Sequence, residues 1–327
     1  MDPNNRSALK QAARDDLARC SCDPRKLVLI HSGAAVALSV LVTLINYLLN
    51  LRIDQASGLS GLDTVANLSA VSSFLSYAGM LIMPFWEAGF LFTTLCIVRR
   101  QAVAPASLLE GFRRFGPVLR YTLLMGLLQA GIGILTFMLS MNLFMLTPLS
   151  NGMVELANNL PQGSILADGT AVLTPELQAQ AAVAALPLII LFGIAFIGAI
   201  LYVSYHLRLG MLILFDRPGT GAMAAMRGSR IQMRGHKKEL LKLDLTFWWY
   251  YAAQVVITLL ANVPYILSIF GQQLSFAAAG FLFLGISLVG QLALAYFARY
   301  RVDTTYAEFY LATIPKPQDN TQTVQSV

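Results

Sequence analysis

An all-α protein that crosses a membrane six times is predicted from three features of the sequence. Hydrophobic residues make up 56% of the 327 positions and charged residues only 12%, whereas a soluble domain carries about 25% charged residues. The apolar residues fall into long blocks, and Lys and Arg concentrate in alternate connections between the blocks. Because about 20 apolar residues of helix cross a hydrocarbon core of about 30 Å, each block is long enough for one crossing.

The predicted spans lie within a membrane domain of residues 27–312 and cover residues 27–49, 71–98, 118–146, 182–205, 245–269 and 276–297. The fourth block stays apolar as far as Phe215, so we expect a crossing to about Tyr205 and then a helical extension along the interface. The few residues around Gly271 predict a tight hairpin between the last two spans. About 26 polar and charged residues precede the first block, which predicts a retained span and not a cleaved signal peptide.

The distribution of Lys and Arg predicts that both termini are cytoplasmic, because short basic loops stay on that side of a membrane. Arg52 is the single basic residue expected on the opposite side. The predicted outer loop has no Lys or Arg, and the polar C-terminal tail has the composition of a disordered segment. The basic segments predicted to be cytoplasmic are residues 1–26, 99–117 and 216–243. The predicted outer loop is 147–180, and the predicted disordered tail is 313–327.

A basic, potentially helical segment precedes each odd-numbered span, at residues 7–26, 106–120 and 221–242. Three copies of a basic interfacial helix followed by a transmembrane hairpin would generate the whole membrane domain. Helical spacing places three arginines of the third segment on one stripe. The charges either set topology alone or also bind anionic lipid headgroups or a partner. The candidate contact residues are Arg113, Arg114, Arg227, Arg230, Arg234, Lys237 and Lys238.

Three stretches of the sequence carry a family pattern. Residues 83–115 contain Met-Pro-Phe-Trp-Glu-Ala-Gly and then Ser-Leu-Leu-Glu-Gly-Phe-Arg-Arg-Phe; residues 225–248 begin Ala-Met-Arg-Gly-Ser-Arg; residues 301–310 end in Phe-Tyr. In this order they resemble the bacterial membrane proteins called domain of unknown function 975. The long outer loop and the aromatic cluster at 247–251 depart from that pattern. The resemblance implies a six-helix protein of a bacterial plasma membrane, and it supplies no activity or catalytic residue.

Motifs of soluble enzymes are absent from the sequence, which has no Gly-Lys-Ser/Thr phosphate loop, paired-His zinc helix or Gly-x-Ser-x-Gly elbow. Cys20, Cys22 and Cys96 are too few for a disulfide framework. We interpret them as reduced thiols, with a metal site as the alternative. No catalytic residue, metal ligand or cofactor-binding residue is therefore assigned, and no cofactor is expected.

Glu87 is the clearest ionisable residue within a predicted span, and such residues are functional candidates. It lies near the middle of the second span, just after Pro84 and Trp86. Three interpretations stay open: a protonated or paired carboxyl between packed helices, a proton or cation carrier, or an error in the placement of the span. His31 is expected at the interface, and pairing among His206, Arg208 and Asp244 is only a hypothesis.

Two functions from different classes fit these features. The first is a non-enzymatic membrane scaffold or accessory subunit whose basic helices contact anionic phospholipid headgroups or a membrane protein partner, including a second copy of the chain. The alternative is a small transporter or channel that uses Glu87, since transporters often combine repeats with broken helices. An enzyme acting on lipid lacks a convincing nucleophile, base or metal set. The location of the positive charges at helix ends argues against a nucleic-acid partner.

Overall fold

The computed structural model describes residues 2–55, 62–158, 175–264, 267 and 276–314. Within these ranges the chain is helical almost throughout and contains no β-strand, so the predicted all-α class is confirmed. The helices are α1 (Arg6–Ala18), α2 (Pro24–Gln55), α3 (Leu62–Val98), α4 (Glu110–Arg113), α5 (Phe115–Leu146), α6 (Asn151–Asn158), α7 (Pro175–Leu207), α8 (Gly210–Asp216), α9 (Ala222–Gln232), α10 (Lys237–Thr246), α11 (Trp248–Ala261), α12 (Phe276–Leu294) and α13 (Tyr300–Thr313). A π-helical segment, Ala295–Arg299, joins α12 to α13.

The chain is a membrane protein, since several of its helices are long and apolar enough to cross a bilayer. In the described ranges they are Pro24–Leu49, Ala66–Val98, Phe115–Leu146, Val183–Asp216 and Gly280–Thr313. The predicted fifth span differs, because α10 and α11 are separate helices bent by 66°. At 1.5 Å per residue, α11 alone is about 21 Å long and too short for a hydrocarbon core of about 30 Å. The described spans therefore number five, or six if the bent pair is one broken span.

Several helices extend beyond their predicted ends. The helix of the second span begins at Leu62, and the last span continues through the π-helical segment to Thr313. Part of the predicted outer loop is helical, because α6 and the first turn of α7 lie within it. Residues 159–174 of that loop, the predicted turn at Gly271 and the tail from residue 315 lie outside the described residues.

The core of the protein lies at one end of the long helices, where most of the Lys and Arg residues are also found. We call this end the basic layer and define it as α1, α4, α8, α9, α10, α13 and the part of α3 from Phe85 to Val98. Its central helix is α13, which packs against α1 and α3 and whose Phe309 and Tyr310 are completely buried. Large apolar side chains elsewhere on the long helices are exposed, for example Phe74 and Leu127. Lipid would cover that surface.

The predicted basic interfacial helices are part of the basic layer and do not form separate surface helices. The first is a single helix, α1, but the second is a 3₁₀ turn followed by α4. The third is divided into α9 and α10 near Gly235, whose φ of 90° ends a right-handed helix. Each of the three segments has an apolar residue that is buried in the protein, namely Leu9, Leu108 and Met233.

Two glycines allow α3 to approach closely the segment that consists of the 3₁₀ turn and α4. A Cβ atom on Gly89 would overlap the carbonyl oxygen of Leu108, and one on Gly111 would overlap the carbonyl oxygen of Phe85. Each glycine therefore faces the backbone of the other element. This contact fixes the short basic segment after the second span against the inner part of α3.

The apolar segment after the fourth span also lies inside the protein. We expected a helical extension along the membrane interface, and α8 is indeed helical. Its residues Leu212, Ile213 and Phe215 are, however, buried in the main core cluster. The segment is apolar because it packs against α3 and α9. In the bundle, α2 packs along α3, α5 along α7 and α11 along α12.

Candidate functional site

A groove of about 330 Å³ runs between α2 and α12 and ends at Glu87 and Arg299. We call it the α2–α12 groove. Tyr250 of α11 also contributes to its wall. Polar side chains on its walls alternate with apolar ones, although α2 and α12 lie within the apolar segments of the chain. The polar wall residues besides Glu87, Arg299 and Tyr250 are Ser32, Ser39, Thr43, Ser287 and Gln291.

Glu87 forms an ion pair with Arg299 at the end of this groove. Arg299 Nη2 donates to Glu87 Oε2 at 2.6 Å, and Arg299 Nε lies 3.4 Å from Asp303 Oδ2. The guanidinium also lies over the ring of Phe90, 5.0 Å from its centroid. Glu87 is still accessible from the groove, because 47% of its side chain is exposed. The structure thus combines a paired carboxyl with an open site.

His31 and Ser32 lie beside this ion pair, and the polar atoms of their side chains lack hydrogen-bond partners among the described residues. The His31 ring is fully buried and stacks between Trp86 and Phe90, with centroid distances of 5.5 and 4.6 Å. Its Nε2 is 3.9 Å from Glu87 Oε1, and neither ring nitrogen has a hydrogen-bond partner in the described part of the chain. The sequence predicted an interfacial residue, and the structure adds that the ring is enclosed within the protein by two aromatic side chains.

Asp244 joins three helices through tyrosine hydroxyl groups. Tyr205 of α7 and Tyr306 of α13 both donate to its carboxylate, and the Tyr306 and Tyr251 hydroxyl oxygens are 2.5 Å apart. Arg208 lies over the Tyr306 ring, 4.4 Å from its centroid. The hypothetical pairing of Asp244 with His206 is not found, since Lys237 donates to the His206 ring. These hydrogen bonds give Asp244 a structural role, which is to hold the surrounding helices together.

The arginines of the predicted stripe lie at the surface of the basic layer. Arg227, Arg230 and Arg234 are all exposed, and they make no ion pair with any residue in the described ranges. Lys238 is also exposed. Arg234 follows the end of α9, so the three arginines do not all belong to one helix. They stay available to a partner or a lipid.

The other candidate contact residues are engaged within the protein to different degrees. Arg113 is 3.4 Å from Glu110, but 70% of its side chain is exposed. Arg114 is half-buried: it donates to the Phe215 carbonyl at 3.2 Å, and its guanidinium lies 5.3 Å from the Phe215 ring centroid. Lys237 contacts His206. Arg114 and Lys237 therefore stabilise the fold directly, which the sequence pattern did not indicate.

A second concentration of positive charge was missed in the sequence. Lys10, Arg14 and Arg301 line a cavity of about 150 Å³ beside Phe247 and Trp249. None of the described residues that line this cavity is acidic. Burial, followed by the positive charges of Arg14 and Arg6, lowers the pKa of Lys10. The cavity thus has an excess of positive charge that an anion would relieve.

Arg299, which pairs with Glu87, and Asp303, which contacts Arg299, were also missed. They are 212 and 216 positions away from Glu87 in the sequence, where only their basic or acidic character is visible. A weak signal did exist in α2, because Ser32, Ser39 and Thr43 recur at helical spacing on one face. Such a polar stripe in an apolar helix indicates a polar partner, but it does not identify that partner.

Comparison with known proteins places the chain in a family. A family model described as "Protein of unknown function (DUF975)" matches residues 1–315. Neither the curated proteins nor the solved structures provide a match. The family match covers all the helices that form the basic layer and the α2–α12 groove. The chain therefore belongs to the DUF975 family, whose sequence pattern its three motifs resemble.

Proposed function

We propose that this protein is a non-enzymatic scaffold or accessory subunit of the bacterial plasma membrane, and that its basic layer binds anionic phospholipid headgroups. The observation that carries the proposal is the group of exposed arginines at 227, 230 and 234 without ion-pair partners in the described residues. Unpaired surface cations beside a bilayer are attracted to anionic lipid by about 1 kcal/mol each. The basic cavity of Lys10, Arg14 and Arg301 supports the same function.

The proposed topology has six spans arranged as three hairpins, with the basic layer and both termini in the cytoplasm. The pairs α2–α3, α5–α7 and α11–α12 support the hairpins. In this arrangement α10 and α11 form the fifth span as a broken helix, with α10 inside the basic layer. The positive charge of the basic layer supports its cytoplasmic location, because Lys and Arg in short loops bias orientation in that direction.

The hydrogen bonds of several carboxylates support a structural role for the protein. Asp244 accepts hydrogen bonds from two tyrosines, and Arg100 donates to the buried Asp16 at 2.9 Å. These carboxylates connect elements that are distant in sequence. Such contacts stabilise the arrangement of helices that presents the exposed arginines.

Replacing Arg227, Arg230 and Arg234 together by Gln is expected to weaken the association of phosphatidylglycerol at least tenfold. The reason is the loss of three charges that each contribute about 1 kcal/mol near an anionic surface. The measurement is quenching of protein fluorescence by brominated phosphatidylglycerol, relative to brominated phosphatidylcholine, in reconstituted vesicles. Because exposed charges are screened by salt, the difference between variant and wild type should shrink in about 1 M salt.

The matched single variants are Arg230→Gln and Arg52→Gln, which remove one exposed arginine from different ends of the molecule. Only Arg230→Gln should lower the association. If the triple variant is folded and retains the wild-type preference for phosphatidylglycerol, the lipid-binding proposal is wrong. A protein that copurifies with the wild type and is lost from the triple variant would instead assign this surface to a protein partner.

The second candidate function is a small transporter or channel, and the open α2–α12 groove with its accessible carboxyl favours it. Under this alternative, Glu87→Gln should abolish proton or monovalent cation flux in reconstituted vesicles. Glu239→Gln, in α10, is the control and should leave the flux unchanged. A wild-type protein without flux, or a Glu87→Gln variant with full flux, would count against transport.

A further inference from the structure

We propose that the α2–α12 groove binds the headgroup of a phospholipid that carries a primary ammonium group. The ammonium is placed at Glu87 and the phosphate at Arg299. This inference goes beyond both candidate functions, because it concerns a zwitterionic lipid bound between helices. It does not depend on the anionic lipid that the exposed arginines are proposed to attract.

The charges at the end of the groove match a zwitterion. Glu87 uses Oε2 for the pair with Arg299, while its Oε1 makes no hydrogen bond with the nearby His31 at 3.9 Å. A guanidinium has five N–H donors, and Glu87 and Asp303 engage only Nη2 and Nε. Among the described residues, Oε1 of Glu87 and several N–H groups of Arg299 therefore have no hydrogen-bond partner, and they lie beside each other. An ammonium and a phosphate on one headgroup would satisfy both.

The buried polar atoms beside the ion pair indicate that a ligand completes the site. Ser32 is 5% exposed and lines the groove, and its Oγ has no hydrogen-bond partner in the described ranges. Buried polar atoms in native proteins are nearly always paired. An ammonium has three N–H donors to offer to Glu87 Oε1 and Ser32 Oγ. A trimethylated choline headgroup has none, so the site should discriminate between the two.

The walls of the groove favour a lipid over a small soluble zwitterion. Beyond the ion pair the groove is bordered by Val36, Val40, Leu284 and Leu288. These side chains provide a surface for glycerol and the first part of an acyl chain. Ser39, Thr43 and Ser287 lie among them and can bond ester oxygens, as hydroxyl groups both donate and accept. A groove of about 330 Å³ is sufficient for a headgroup and glycerol.

The position of the ion pair along α3 agrees with the depth at which a lipid headgroup would lie. Before Met83 this helix exposes large apolar side chains such as Phe74 and Met80, whereas from Phe85 the helix is enclosed by the basic layer. Glu87 lies about 37 Å from Leu62 and about 16 Å from Val98 at 1.5 Å per residue. The proposal places Glu87 at this change of surroundings, near the inner boundary of a hydrocarbon core of about 30 Å.

The test compares lipids that differ only in the headgroup nitrogen. The full-length protein in detergent is incubated with phosphatidylethanolamine, its N-methyl and N,N-dimethyl derivatives, or phosphatidylcholine of the same acyl chains, and bound lipid is counted by native mass spectrometry. Wild-type affinity should fall with each methyl group, by at least tenfold from phosphatidylethanolamine to phosphatidylcholine. Glu87→Gln, which keeps the side-chain shape, should remove this discrimination.

Two further variants separate this site from the basic surface. Ser287→Leu fills the groove without changing the ion pair and should also lower phosphatidylethanolamine binding at least tenfold. Arg227→Gln is the control: it should leave phosphatidylethanolamine binding unchanged whether or not it weakens phosphatidylglycerol binding. The two lipid proposals can thus fail independently.

Two outcomes would overturn the assignment. One is equal affinity of the wild type for phosphatidylethanolamine and phosphatidylcholine, with Ser287→Leu behaving as wild type. The other is displacement of the bound lipid by soluble glycerophosphoethanolamine at the same concentration as the lipid itself, which would assign the site to a soluble zwitterion. If Glu87→Gln fails to fold, Ser287→Leu and the methylation series still decide the question.

Discussion

Gly89→Ala is expected to prevent accumulation of folded protein, and Gly111→Ala is expected to do the same. In each case the added methyl group would overlap a backbone carbonyl oxygen, of Leu108 or of Phe85. Overpacking of a core usually costs about 1–3 kcal/mol, and here the obstacle is backbone that cannot change rotamer. We expect a loss above about 3 kcal/mol, which is a large part of a typical stability of about 5–15 kcal/mol.

The measurement for these two variants is the yield of monodisperse protein after extraction, together with its apparent melting temperature. Gly126→Ala and Gly131→Ala in α5 are the matched controls, because nothing lies within 4 Å of a Cβ atom at either position. They should be neutral or stabilising by up to about 1 kcal/mol, since Ala favours a helix over Gly. Wild-type yield and melting temperature for Gly89→Ala would show that α3 and α4 can separate without cost.

The helical class and most spans could be predicted because they depend on local properties of the chain. A block such as 118–146 is apolar over enough residues to cross a bilayer, whatever surrounds it. The helix α5 accordingly covers Phe115–Leu146. The fifth span was harder, because the bend between α10 and α11 depends on how Leu243 and Phe247 are buried in the core.

The surroundings of the basic segments could not be predicted from their composition. A helix with apolar and basic faces can lie on a membrane or pack on a protein, and the sequence pattern is the same. In the structure, Met233 and Leu108 pack in the protein, while Arg227 stays exposed. The exposure of the arginines could therefore be predicted. Whether the apolar face of each segment contacts lipid or protein could not.

The candidate groove could be predicted only in part, because its two sides are distant in sequence. Glu87 was recognisable as an acidic residue in an apolar block. Its pairing with Arg299 depends on where the π-helical segment Ala295–Arg299 lies relative to α3. The burial of His31 likewise depends on the stacking of Trp86 and Phe90 from another helix. These contacts follow from helix packing, which a single sequence does not specify.

Arg299→Gln is expected to lower the free energy of unfolding by about 3 kcal/mol, the lower end of the range for breaking a buried ion pair. The change leaves Glu87 and Asp303 without their cation, and the access of Glu87 to the groove limits the cost. The measurement is denaturant unfolding in mixed micelles. Arg301→Gln is the control and should cost less than about 0.5 kcal/mol, because the Arg301 side chain donates a hydrogen bond only to its neighbour Tyr300 among the described residues. In a double-mutant cycle, Glu87→Gln should cost less in the Arg299→Gln background than in the wild type. Equal stability of Arg299→Gln and Arg301→Gln would mean that the ion pair does not hold the end of the groove together.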